Sequence, residues 1–189
     1  MPAKRSELAT WRREQIIDSA MSVFGGKGVD AASMKDVAMA AGVTQGLLYH
    51  YFAGKEALVV AVIAERGFLP ELRRLLSAAA DRPASEVLPE VVAGFDKLLT
   101  ARTPLLGMFL SGAHGNPKIR AGLEAVIAEG QRLLGEYLTA RVAAGELHEH
   151  EPSAVAQMLL CSSLVTAVMG LSSDPRAKTS ILIHGLAAT

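Results

Sequence analysis

Residues 43–58 read VTQGLLYHYFAGKEAL, and place Tyr49, His50, Tyr51 and Phe52 side by side in a chain that is only 5% aromatic. As a short helix capped by Thr44, the segment would turn Leu48 and Phe52 inward and leave Thr44, Gln45, Gly46, Tyr49 and His50 outside. That outer face has the chemistry of duplex DNA recognition. A glutamine amide can bond bidentately to adenine, and residues near the start of a recognition helix reach base edges. The hydroxyls of Thr44 and Tyr49 can bond phosphate, and Gly46 lets the backbone lie close to a groove. Lys55 falls at the start of the next helix, where ammonium and helix dipole both favour a phosphate. Arg12 and Arg13, with Lys4 and Arg5 before them, could grip the flanking backbone or the minor groove. Lys35 completes the set of expected DNA-facing cations.

These side chains need helices to hold them. An i, i+3/i+4 stripe of Ile16, Ile17, Ala20, Val23 and Phe24 predicts a first helix over about 10–24, ending in GGKG. That GGKG lacks the GxxxxGK[ST] spacing of a nucleotide loop. Ser33 is an N-cap, and Asp36 three residues on imitates a capping box. The helix it opens turns Met34, Val37, Ala38 and Ala41 inward and breaks at Gly42. Two helices joined by a glycine-containing turn of about four residues form the helix-turn-helix pattern. A fourth helix runs from about 54–56 through LVVAVIAERGFL, and Pro70 should kink or end it. Further helices are expected at about 84–101, 103–114, 118–144, 152–171 and 175–187, bounded by DRPAS, RTP, HGNP, GELHEHEP and SSDP. The expected class is all-α, with about nine helices and no internal repeats.

Composition narrows the partners. Nineteen Lys and Arg balance nineteen Asp and Glu over 189 residues, which argues against a general polyanion binder without excluding a local basic face. Residues 1–60 hold seven basic against six acidic side chains, too small a surplus for tight DNA binding by one such unit. A dimer would double the phosphate contacts. Half of the residues are hydrophobic, enough for a sizeable core. The single Cys161 rules out a disulfide framework within the chain and fits a reducing compartment. The opening MPAKRSELATWRRE is polar and reads as no leader. The uncharged run 154–171 approaches membrane-span length, but Gln157, Ser162, Ser163 and Thr166 favour a helix buried on two sides.

The segment IIDSAMSVFGGKGVDAASMKDVAMAAGVTQGLLYHYFAGKEAL resembles the DNA-binding domain of TetR/AcrR-type transcriptional regulators. The resemblance rests on Ile17, Ala20, Phe24, Gly28, Val37, Ala38, Ala41, Gly42, Val43, Gly46, Tyr49, Tyr51, Phe52, Lys55, Glu56 and Leu58 at fixed spacing. It implies an all-helical homodimer, with a helix-turn-helix domain over 1–54 and a ligand-binding and dimerisation domain over 55–189. It implies a ligand-responsive regulator, most simply a repressor. The dimer would bind a palindromic double-stranded operator in the bacterial cytoplasm, at the nucleoid when bound, and a small, largely apolar effector would release it. Base contacts would fall to Thr44, Gln45 and Gly46, with Tyr49 and His50 at bases or phosphate and Lys55 at phosphate.

The same resemblance suggests that the last two long helices pair with their two-fold mates as a four-helix bundle. The expected interface is Ala154, Met158, Ser162, Val165 and Met169, with Ile181 and Leu182 from the final helix. The middle helices could enclose a ligand cavity lined by Phe68, Leu72, Phe95, Leu98, Leu99, Leu105, Met108 and Phe109, with Met158 and Cys161 from the far side. Otherwise Cys161 reads as an inert buried thiol. The fourth helix would act as lever, with Pro70 as its hinge. His114 reads as a helix-end residue, and His148 and His150 as part of a solvated connection. No GxSxG, HExxH, GxGxxG or Cys–His pairing with a supporting context occurs, so neither an enzyme nor a cofactor or metal is expected. The alternative is a helical small-molecule carrier that kept a non-functional helix-turn-helix.

Overall fold

The computed structural model describes residues 2–79 and 82–186, without the side chains of residues 2–5, 104, 105, 108 and 186. Among the described residues there is no strand. The helices are α1 (Pro2–Lys27), α2 (Met34–Ala40), α3 (Gln45–Tyr51), α4 (Lys55–Arg66) and α5 (Leu69–Ser77), then α6 (Ala84–Ala101), α7 (Thr103–Gly115), α8 (Pro117–Ala143), α9 (Pro152–Val168) and α10 (Pro175–Leu186). The all-α expectation holds. The helix beyond the expected nine is α5, and Pro70 accounts for it. Proline lacks only an N–H that the first turn of a helix leaves unpaired, so Pro70 sits in the opening turn of α5. It does not kink α4, which already ends at Arg66. The kink or stop expected at Pro70 is corrected accordingly.

The chain divides into two compact units: Met1–Arg66 with Pro104–Leu123, and Gly67–Thr103 with Glu124–Thr189. This division differs from the functional boundary expected after residue 54, because α4, α7 and the start of α8 share a core with α1–α3. Ile16, Ile17, Ala20 and Phe24 of α1 are buried with Val37, Leu48, Leu58, Val59 and Val62, and Ala113 and Ile119 join them. Two ion pairs tie α1 to α4, Arg13 to Glu65 at 2.5 Å and Arg66 to Asp18 at 2.6 Å. Both are partly solvated, so each contributes at most about 1 kcal/mol. Shape matters more where α8 begins. A Cβ on Gly122 would lie 2.2 Å from Val60 Cγ2, so only glycine permits this approach of α8 to α4.

The second unit gathers Leu72, Val87, Leu88, Val91, Val92, Leu134, Leu138, Ala156 and Leu159 into its own core. Tyr137 donates its hydroxyl to the Arg82 carbonyl at 2.9 Å, and burial pushes that hydroxyl up to about 12. Glu146 accepts from the Ala84 N–H at 2.5 Å, where the positive end of the α6 dipole favours a carboxylate. The GELHEHEP connection is therefore structural at its start, since Leu147 is buried as well.

α9 is buried along one side only, by Val155, Ala156, Leu159 and Ser163. Its opposite side is exposed, so the expectation of a helix buried on two sides is met on one side within this chain. No single helix among the described residues is long and apolar enough to cross a membrane.

Candidate nucleic-acid interface

Local signals build the helix-turn-helix. The Ser33 hydroxyl accepts from the Asp36 N–H at 3.2 Å, and Asp36 accepts in return from the Ser33 N–H at 2.9 Å, a complete capping box. Hydrogen bonds from Lys27 and then Ser33 hold the Asp36 carboxyl well below its usual range. α2 ends in a Schellman turn, with Gly42 N–H bonded to the Met39 carbonyl and Val43 N–H to the Ala38 carbonyl. Gly42 has φ +62°, and no atom lies within 4 Å of where its Cβ would be. Backbone conformation, not crowding, is what asks for glycine there.

Thr44 then caps α3, its Oγ1 accepting from the Leu47 N–H at 3.2 Å, which leaves the hydroxyl proton free to donate outward. Leu48 and Phe52 are buried and Tyr51 packs beside the same core, while Thr44, Gln45, Gly46, Tyr49 and His50 are exposed. The aromatic cluster is thus divided between core and surface. A Cβ on Gly46 would meet nothing within 4 Å. Leu47, not singled out from the sequence, is also exposed and lies on α3 among these polar neighbours. Periodicity alone could have flagged it, because it is an apolar residue off the inward stripe.

The expected cations are placed very differently from one another. Lys35 is exposed and makes no hydrogen bond or ion pair among the described residues. Arg12 donates to Gln15 Oε1 at 2.8 Å and lies 4.8 Å over the ring of Trp11. Arg13 is drawn inward, paired with Glu65 and 5.2 Å over the ring of Phe52. Lys55 donates to three carbonyls of the loop between α1 and α2: Val29 at 2.9 Å, Asp30 at 3.2 Å and Ala32 at 3.2 Å. An ammonium has three N–H donors, and all are used. Lys55, expected at phosphate, and Arg13, expected at the flanking backbone or minor groove, are thus both engaged within the chain itself. Their partners lie 23 to 52 residues away along the chain, beyond the reach of spacing arguments. The side chains of Lys4 and Arg5 lie outside the described residues.

The expected ligand residues are shared between the two units. Phe68, Leu72, Phe95 and Leu99 lie in the second unit, with the Phe68 and Phe95 rings 4.6 Å apart. Phe109 packs instead on the core of the first unit, and Met108 and Leu105 lie outside the described side chains. Met158 and Cys161 are exposed, which corrects the reading of Cys161 as a buried thiol. The reason is that neither lies on the side of α9 that carries Val155, Ala156, Leu159 and Ser163. A groove of about 850 Å³ lies elsewhere, between α6 and α10, lined in part by Pro89, Ala93, Arg176, Thr179 and Ile183.

Of the expected dimer residues, Ala154, Met158, Ser162, Val165 and Met169 are exposed along one side of α9 and its C-cap, and Ile181 is 76% exposed on α10. Leu182 is partly buried and packs on its own unit's core. His114 lies in the last turn of α7. His150 Nδ1 is 2.8 Å from the His148 carbonyl oxygen, a contact within their own connection.

Residues 16–62 match the family described as "Bacterial regulatory proteins, tetR family". That match takes in the latter part of α1, most of α4 and the whole helix-turn-helix between them. The chain is 34% identical over 88 residues to the HTH-type transcriptional repressor KstR2 of Rhodococcus jostii, a match covering 44% of this chain and 42% of that protein. It is 32% identical over 114 residues to the HTH-type transcriptional regulator BetI of Rhizobium meliloti, covering 58% and 55%. The chain thus spans about half the length of the curated relatives it matches.

Two solved structures share the fold over nearly the whole chain. One is a Mesorhizobium loti protein described as a TetR-family transcriptional regulator, at TM-score 0.80 and 16% identity over 95% of this chain and 98% of that one. The other is FadR of Bacillus subtilis in complex with stearoyl-CoA, at TM-score 0.72 and 22% identity over 90% and 95%.

Proposed function

We propose that the chain is a ligand-responsive transcriptional repressor that binds a palindromic operator as a homodimer and is released by a small, largely apolar effector. The observation that carries this reading is the outer face of α3. Gln45, Tyr49 and His50 are solvent-exposed there, while Leu48 and Phe52 beneath them are buried. In this reading Gln45 bonds an adenine edge, the hydroxyls of Thr44 and Tyr49 bond phosphate, and Leu47 packs on a thymine methyl group. Lys35 supplies a solvated cation, and Arg12 joins it by leaving Gln15. Residues 1–54 carry DNA binding, and 55–189 carry the effector and the dimer contact. Such a regulator acts where chromosomal DNA lies, in the cytoplasm.

The homodimer reading is supported by the exposed apolar side of α9. Met158, Val165 and Met169 are each more than half exposed, and a soluble monomer rarely leaves such a patch contiguous. Two copies of α3 about one DNA turn apart would read a two-fold operator and supply the phosphate contacts that one weakly basic unit lacks. An apolar effector is supported by the second unit's aromatic and aliphatic residues around Phe68 and Phe95, and by the stearoyl-CoA held by the FadR neighbour. Release then needs only that the effector bind one arrangement of the dimer better than the other. Its differential affinity sets the size of the response, and operator weakens effector binding by the same factor.

Selection of duplexes from random sequence at low salt tests the reading. Enrichment of a palindrome is the expected result. Binding of an apolar ligand with no enriched palindrome would favour the helical carrier instead.

A further inference from the structure

We infer that Lys55 is a positioning residue of the DNA-binding unit, a clamp on the loop that launches α2, and not a phosphate ligand. The loop between α1 and α2 opens at Gly28, whose φ of +84° lets the chain turn out of α1. It then runs through Val29 and Ala32, both buried. Three of its carbonyls converge on one ammonium: Val29 at 2.9 Å, Asp30 at 3.2 Å and Ala32 at 3.2 Å. Ala32 is followed directly by Ser33, the N-cap of α2, and α2 hands its direction to α3 through the Gly42 turn. The ammonium therefore fixes the end of the segment from which the recognition helix is built. To reach a phosphate it would have to abandon all three carbonyls, since it has no spare donor.

The inference rests on the DNA-binding reading, and two substitutions test it against the phosphate role. Lys55→Arg keeps the charge and binds phosphate at least as well as lysine. Its planar fork, however, cannot aim three donors at three carbonyls that converge on one point. Lys55→Met keeps most of the stem and removes every donor.

A clamp predicts that both variants lose operator affinity by about tenfold or more, with the slope of log affinity against log salt unchanged, because no phosphate contact is lost. Non-specific binding should fall less than operator binding, since the orientation of α3 is what suffers. A phosphate ligand predicts that Lys55→Arg binds like the wild type, and that Lys55→Met lowers the salt slope by about one.

Hydrogen exchange of amides 28–34 in the free protein supplies an arm that needs no DNA. The clamp predicts faster exchange in both variants, with the amides of the second unit unchanged. Wild-type operator affinity in Lys55→Arg, or unchanged exchange at 28–34 in Lys55→Met, would overturn the inference. If no duplex can be selected at all, the proposed function fails, and the exchange arm still decides the clamp.

Discussion

α3 and α9 each turn one side away from their own unit, and the two sides differ in kind. α3 is seven residues long and buries Leu48, leaving a mostly polar outer side of Gln45, Tyr49 and His50. α9 is seventeen residues long, carries no charge, and exposes Met158, Val165 and Val168. A polar side rests in water without cost until a better partner arrives. An apolar side loses about 25 cal/mol for every Å² it leaves wet, so its natural partner is another apolar surface. Exposure alone thus does not say what a surface is for; its chemistry does.

The comparison breaks most sharply at α9. Replacing Met158 and Val165 together by Glu should raise the dimer dissociation constant by about a hundredfold or more, since four like charges would be buried across a two-fold axis. Sedimentation at several concentrations, with circular dichroism as a check on folding, reads the result. If the double variant associates like the wild type, the apolar side of α9 is not the contact between copies.

The inner and outer sides of α3 should separate next. Leu48→Ala should destabilise the protein by about 2–5 kcal/mol in denaturant titrations, because a wholly buried side chain leaves a cavity. Gln45→Ala, on the outer side, should leave stability within about 0.5 kcal/mol and still cost about 1–3 kcal/mol of discrimination at one operator position. Equal loss of stability from both changes would mean that α3 has no free side.

Two glycines sharpen the contrast on a smaller scale. Gly42→Ala forces a side chain into left-handed backbone and should cost about 1–2 kcal/mol. Gly46→Ala meets open space within a helix and should raise stability by up to about 1 kcal/mol while weakening operator binding. A thermal melt and a gel shift on the same variant would show the opposed signs.

The smallest expected effect is one of pH. The Asp36 carboxyl lies below its ordinary value of 3.8 in the folded state, so the unfolded chain binds its proton first. The stability it supplies is complete above that value and fades as pH falls below it. Asp36→Asn should therefore show a shallower acid loss of melting temperature than the wild type. Parallel acid limbs would place the capping box outside the folding equilibrium.

Legibility followed distance along the chain. The Ser33 box, the Gly42 turn, the Thr44 cap and the inward Leu48 and Phe52 each depend on residues within a few positions, and all were readable before any fold was known. The cations were not, because each was placed by its residue type and its nearness to a helix start. Arg13 was claimed by Glu65 and the Phe52 ring, and Lys55 by a loop more than twenty residues upstream. The expected pocket residues divide between two cores for a related reason. An apolar period says that a residue faces inward but not into which core, so Phe109 joined the first unit while Phe68 and Phe95 met in the second.

By itself, then, the sequence determined an all-helical chain, the helix-turn-helix and the face its recognition helix presents, since caps, glycine turns and helical periodicity act over one or two turns. Only the tertiary structure decided which cations remain free, which apolar residues share a core, and which side of α9 stays uncovered. Those outcomes depend on which distant groups come within a few ångströms, and hydrogen bonds, ion pairs and packing all fade beyond that range.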